Sequence, residues 1–379
     1  MFVIEDSDTF QSMQSQQEAY VQALLHKWDW LLQGEEYGLK PVPSRLRRAM
    51  AIMFENQQAC SRGLLGEQTK TTDIVVPEVM AMPIIRATYP RLWSTRVASV
   101  QPLPLAGGGA GKIFFLKLWR EDVSPDTRLN VPDSDYALGA ENSVPKRVKL
   151  TVDSMDLTAE KDILAAVWSS EVEEDARNAL ALNVRQVLVN GMSGEIAREH
   201  DQRILQEIYT GAATEVTWSK TVGAGYLAKE WYETLIHAIV DADMNIWNAH
   251  YRRADWLVCG KNFYSYLLKT GDFKAQRTDV DMASTGVEWM GRLEGLYDVY
   301  LSAYLGNDEG VMGRYARDVI DTGYVIAPYI PLAPMPAVYA EMETDGTLKN
   351  TDKWTQNVRT RQAKAMVQNT MFARVRLTT

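Results

Sequence analysis

Apolar residues recur at helical spacing in the first part of the chain. From Tyr20 to Leu32 the stripe is Val21, Leu24, Leu25, Trp28, Leu31 and Leu32, and Gly34 follows as a stop. A second amphipathic helix is expected from Ser44, a suitable N-cap, with Leu46, Met50, Met53 and Phe54 on one side and Arg45, Arg47 and Arg48 around the rest. Neither helix has an obvious local partner, so each should bury its stripe against the main body or a neighbouring subunit. Trp93 to Val100 alternates loosely and reads as a strand ending at Pro102, and Ile113 to Leu118 is an apolar strand. Glu121 to Pro145 is polar and turn-rich, with too little apolar area to be stable alone.

Val148 to Val152 alternates as a strand, and Thr158 reads as the N-cap of a short helix through Trp168. Glu171, Glu173, Glu174 and Asp175 then suit a helix N-terminus, where negative charge is favoured. The long helix that follows carries Leu180, Val184, Val187, Leu188, Met192, Ile196, Ile204, Leu205 and Ile208. Gly191 and Gly194 interrupt it; each costs up to about 1 kcal/mol against Ala, so a bend or a close backbone approach is expected there. After Gly223-Ala224-Gly225 a helix runs from about Tyr226 to Asn248, then a buried strand at Trp256 to Cys259 and a short helix at Phe263 to Leu268. Gly271 to Gly291 reads as a polar loop. Tyr297 to Tyr304, Met312 to Tyr315 and Tyr324 to Ile326 read as strands of one mixed sheet, and Thr370 to Leu377 as a closing strand. The elements together predict an α+β protein without internal repeats.

With 379 residues, 46% hydrophobic and 23% charged, the composition is that of an ordinary globular chain with room for two or three sub-domains. A net charge of -9 argues against wrapping nucleic acid, which needs a basic face. Cys60 and Cys259 are the only cysteines, too few and too far apart for a disulfide framework or a zinc knuckle. The chain opens without a signal-peptide pattern, Met1-Phe2-Val3-Ile4 running into Glu5 and Asp6. The long uncharged run Tyr324 to Ala340 holds Pro328, Pro331, Pro334 and Pro336, so it cannot form a continuous helix and no membrane span is expected.

Catalytic patterns fail one after another. Gly107 to Lys112 suggests a phosphate loop, but Ala106 and Ile113 occupy positions where that pattern needs Gly and Ser or Thr. His26, His200, His237 and His250 form no metal-type spacing, and His237 with Asp241 makes only an i,i+4 pair. Asp241-Ala242-Asp243 and Asp279-Val280-Asp281 could hold a cation, yet lack further oxygen ligands and read as solvated carboxylates. Gly191-Met192-Ser193-Gly194 has the wrong spacing for a nucleophile elbow. Eleven tryptophans and seventeen tyrosines fall largely on inward or interface-type positions. No catalytic, cofactor-binding or metal-ligating residue is assigned, and no cofactor is expected.

Two separated stretches carry a family resemblance. Arg86-Ala87-Thr88-Tyr89-Pro90-Arg91-Leu92, Val100-Gln101-Pro102, Gly107 to Gly111 and Ile113-Phe114-Phe115-Leu116-Lys117 follow in order, and Gly323 to Leu332 (GYVIAPYIPL) lies far downstream. Glu55-Asn56-Gln57, Glu195-Ile196 and Glu199 add to the pattern. In this order and spacing they resemble the major capsid proteins of tailed phages, closest in pattern to those with contractile tails. The resemblance implies an HK97-like capsid fold. Its parts would be N-terminal helices and N-arm over 1–76, a peripheral domain over 77–102 and 148–222 with a long spine helix, an E-loop over 103–147, an axial domain over 223–340, and a peripheral return over 341–379. It implies self-assembly into pentamers and hexamers of an icosahedral head enclosing double-stranded DNA. Implied partners are further copies of the chain, with portal, scaffolding and decoration proteins, and packaged DNA held only non-specifically. Assembly would take place in the host cytoplasm. It also makes Leu65-Gly66-Glu67 a candidate maturation site, cut after Glu67. The alternative is a soluble α+β enzyme with its site under the Gly271 to Gly291 loop.

Overall fold

The computed structural model describes residues 18–34, 39–61, 78–104, 109–120, 148–180, 183–250, 252–276, 286–316, 322–334, 337–339, 341–342, 348–349 and 353–378. In chain order the first helices are α1 (18–27), α2 (Asp29–Gln33), α3 (Ser44–Ser61), α4 (Glu78–Thr88) and α5 (Ser94–Val97). Strands β1 (Ser99–Val100), β2 (Ala110–Arg120), β3 (Val148–Thr158) and β4 (Glu160–Ser169) follow, then α6 (Ser170–Leu180) and α7 (Val184–Gly211). Next come β5 (Thr214–Ser219), α8 (Ala228–His250), β6 (Trp256–Cys259) and α9 (Lys261–Thr270). The later strands are β7 (Val287–Leu293), β8 (Tyr297–Ser302), β9 (Glu309–Gly313), β10 (Tyr324–Pro334), β11 (Glu341–Met342), β12 (Leu348–Lys349), β13 (Lys353–Met366) and β14 (Phe372–Thr378).

Two sheets organise these elements. One has four strands in the order β1-β10-β13-β4, the other six in the order β5-β14-β9-β6-β8-β7. α7 bridges them. Its first half packs Val189, Met192 and Ile196 with α3 and with Leu332 and Val358 of the four-stranded sheet. Its second half packs Ile204, Leu205 and Ile208 with Trp256, Val311 and Phe372 of the six-stranded one. The first helices bury their stripe against the chain's own body. Leu24, Trp28, Leu31 and Leu32 share a core with Met50, Phe54 and Ile85. Polar ties reinforce this docking: Lys27 Nζ lies 2.6 Å from Glu55, and the buried Arg86 guanidinium donates to the carbonyls of Leu31 and Leu32 where α2 ends. That end is a glycine stop as expected, since Gly34 sits at φ +73°.

Several sequence expectations change. Thr158 to Trp168 is a strand, not a helix: β4 pairs β13 antiparallel without interruption from Glu160↔Gln362 to Ser169↔Lys353. Good helix formers there are overruled by ten paired residues. Trp93 to Val100 is mostly the short helix α5, because buried Asp201 accepts the Trp93 and Ser94 N–H groups at 3.1 and 3.2 Å and caps its first turn. The expected single helix after residue 170 is two, α6 and α7, and α7 starts at its own N-cap, Asn183, whose side chain accepts from Gln186 N–H. α7 then runs unbroken through Gly191 and Gly194, and a Cβ at either would meet nothing within 4 Å. Among the described residues no close approach explains them.

The single mixed sheet is also divided. β8 and β9 lie in the six-stranded sheet, but β10 pairs with β13 and β1 in the other. The closing strand β14 sits between β5 and β9 in the six-stranded sheet, beside elements of the 223–340 segment. The Gly271 to Gly291 loop yields a strand from Val287 onward, and β5 had no clear signal.

Candidate assembly surfaces

β2 and β3 form a two-stranded hairpin, in register from Ala110↔Thr158 to Arg120↔Val148. Among the described residues no third strand joins it. Its root is anchored: Ile113, Leu157 and Ala159 pack with Leu103, Tyr329, Ala363 and Cys60. Gly109 turns the chain at φ +88°, and a Cβ there would come within 2.7 Å of the Arg361 guanidinium. Its carbonyl accepts from Ala159 N–H at 2.8 Å, closing the base of the hairpin. A lone two-stranded ribbon is marginal in water.

β4 shows a different kind of incompleteness. Its residues alternate: Asp162, Leu164, Ala166 and Trp168 turn toward α7, while Lys161, Ile163, Ala165 and Val167 are exposed. Ile163 is 54% exposed and Val167 47%. Its outer edge pairs with no described strand. On α6, which follows β4 directly, Glu171, Glu174 and Asp175 are exposed. Glu173 turns inward, accepting from Trp168 Nε1 and pairing with Arg177 and Arg185.

Ionisable groups that converge inside the fold hold elements together. Asp162 of β4 meets Arg203 Nη1 at 2.7 Å and His200 Nε2 at 3.1 Å, fastening α7 across the sheet. The His200 hydrogen bond, with that of Arg203, holds the Asp162 carboxyl well below the usual carboxylate range. Asp201, one residue on, faces the opposite environment: burial pushes it up to about 6 against the pull of its Ser94 and Trp93 hydrogen bonds. Asp243 is fully buried, a correction to its reading as a solvated carboxylate. It accepts from Ala254 N–H at 2.6 Å, Tyr297 OH at 2.6 Å and Arg253 Nε at 2.8 Å, tying α8 to β6 and β8.

The remaining sequence candidates are scattered. His237 and Asp241 stand exposed on α8, and His250 Nε2 lies 2.7 Å from Thr370 Oγ1. Cys60 and Cys259 are both buried, and burial raises the Cys259 thiol far above its ordinary value. Glu67, Asp279 and Asp281, Gly107 and Gly108, and the Glu121 to Pro145 stretch lie outside the described residues. Among the described residues no group of His, Cys, Asp and Glu is arranged to hold a metal, and no helix is long and apolar enough to cross a membrane. Sequence reasoning missed the Asp162–His200–Arg203 cluster and the Asp201 cap. Asp162 lies 38 and 41 positions from His200 and Arg203, and Asp201 lies 107 and 108 from Ser94 and Trp93, so nothing local marks either.

Several known proteins are similar to the chain. Solved structures similar to the chain include one from Microbacterium phage Oxtober96, at 11% identity over 83% of this chain and 98% of that one, with a TM-score of 0.49. The capsid of Myoviridae phage XM1 matches at 11% identity over 71% and 86%, with a TM-score of 0.43. The capsid structure of cyanophage P-SCSP1u matches at 11% identity over 76% and 88%, with a TM-score of 0.47. No curated protein registers as a match. The family profile described as major capsid protein Gp23 matches residues 130–372, well over half of the sequence. The chain therefore belongs to the Gp23 family of major capsid proteins, and its place is the shell of a phage particle.

Proposed function

We propose that copies of this chain assemble into pentamers and hexamers that close an icosahedral head around double-stranded DNA. The observation that carries this reading is family membership together with a hairpin, Ala110 to Thr158, that pairs only with itself among the described residues. In this reading the hairpin is the E-loop and reaches over an adjacent copy, which supplies the cover a two-stranded ribbon lacks. α7 is the spine of a peripheral domain built on the four-stranded sheet. The six-stranded sheet, including β14, forms the axial domain, whose loops meet around the symmetry axes. Portal, scaffolding and decoration proteins complete the particle. A net charge of -9 suits a lumen that must not trap its DNA.

Size-exclusion chromatography and negative-stain microscopy of the purified chain test this. Rings, tubes or shells in the megadalton range are expected. A stable monomer or dimer would overturn the reading, and turnover of a small molecule would point to the enzyme alternative. Cleavage after Glu67 belongs to the same reading as an open branch. Intact-mass measurement of coat protein from mature particles shows either the full chain or one beginning at residue 68.

A further inference from the structure

We propose that the free edge of β4 is completed by β4 of a second copy, the two strands running antiparallel about a two-fold axis at Ala165. This rests on the shell reading above and adds a specific contact to it. Edge strands in soluble proteins are usually blunted by proline, a bulge, several charges or a covering segment. β4 lacks the first two: its ten pairs with β13 run without a register shift, and the sequence EKDILAAVWS contains no proline. Lys161 is the single charge on its exposed face, beside Ile163, Ala165 and Val167. Such an edge is built to be paired rather than to stay in water.

Self-complementarity identifies the occupant. With Ala165 facing Ala165 of the second copy, Ile163 comes opposite Val167 of that copy and Val167 opposite its Ile163. Lys161 then faces Ser169 of the second copy, which sets an ammonium beside a hydroxyl at each end of the contact. Other registers lose this match. A one-residue slip sets the exposed row against the α7-facing row. A two-residue slip places Lys161 against Val167, or Ile163 against Ser169. On the other face, Leu164 meets Ala166, extending the layer under α7. A contact of this isologous kind cannot close a five- or six-membered ring, which needs a head-to-tail interface. It would join copies in neighbouring rings.

Cross-linking in assembled particles tests the register. The Ala165→Cys variant places two thiols opposite each other at the separation of directly paired residues, within disulfide reach. Mild oxidation should shift its band on a non-reducing gel from one chain's mass to two. The Lys161→Cys variant is the control, because its two copies would lie about 27 Å apart, and it should stay at one chain's mass. The buried Cys60 and Cys259 do not compete. Particles in which Ala165→Cys fails to cross-link, or in which both variants cross-link alike, overturn the strand pairing and leave the shell reading standing. A wild-type chain that forms no particles overturns both. Should Ala165→Cys itself block assembly, a residue-level map of wild-type particles decides: paired β4 edges centred on Ala165 support the contact, and any other segment along that edge refutes it.

Discussion

The two sheets of this molecule solve the same problem in opposite ways. The six-stranded sheet is covered on both faces, with Leu257 and Cys259 of β6 turned to α8 and α9, and Trp256 and Val258 turned to the end of α7. All four residues of β6 are buried. The four-stranded sheet is covered by α3, α4 and α7 on one face and by the hairpin root over part of the other. Its last strand is left with an apolar row in solvent. One sheet is buried on both faces, while the edge strand of the other exposes Ile163 and Val167; in the proposed shell that row is kept for neighbouring copies.

The comparison breaks most directly at the covered sheet. Trp256→Ala removes a fully buried ring that meets Trp93 edge-on with centroids 5.3 Å apart, and should cost the free subunit about 4 kcal/mol in chemical denaturation. A small loss would mean that this core is not what holds the subunit together. Asp243→Ala leaves Tyr297 OH and the Ala254 N–H without their buried acceptor. A loss of about 3 kcal/mol is expected by the same measurement.

Acid titration sharpens the picture where α7 joins the two sheets. Asp201 titrates at about 6 in the fold and near the ordinary carboxylate value when unfolded, so the native state holds its proton more tightly. Its contribution is therefore most favourable below about pH 4 and declines as pH rises to about 6. Asp162 acts with the opposite sign: its lowered value gives stability that is present above the ordinary carboxylate range and lost as pH falls through it. Asp201→Asn should flatten the decline between pH 4 and 6 in denaturation midpoints, leaving the acid loss due to Asp162. An unchanged profile would remove Asp201 from this account.

The smallest effect on the subunit belongs to the reserved surface. Ile163→Lys alters an exposed side chain and should change the stability of the free chain by no more than about 0.5 kcal/mol. Particle yield should nonetheless fall sharply, as measured by sedimentation of the assembly mixture. Normal assembly of this variant would show that the apolar row on β4 is incidental.

The amino-acid sequence alone determined the elements whose signal is local. The apolar stripes placed the start of α3 and both ends of α8 to within a few residues and ran along α7, Gly34 marked a helix end, and the prolines after Tyr324 excluded a helix from what is β10. The ordered landmarks from Arg86 to Lys117 and around GYVIAPYIPL pointed to the family before any fold was visible. Only the tertiary structure decided which strands share a sheet, that Glu160 to Ser169 is extended, and that Asp243 and Asp201 are buried acceptors. The physical reason is range. Helical periodicity is written within a few neighbouring residues, whereas β4 owes its conformation to β13 nearly 200 positions away, and a carboxylate's burial depends on backbone N–H groups brought from distant elements.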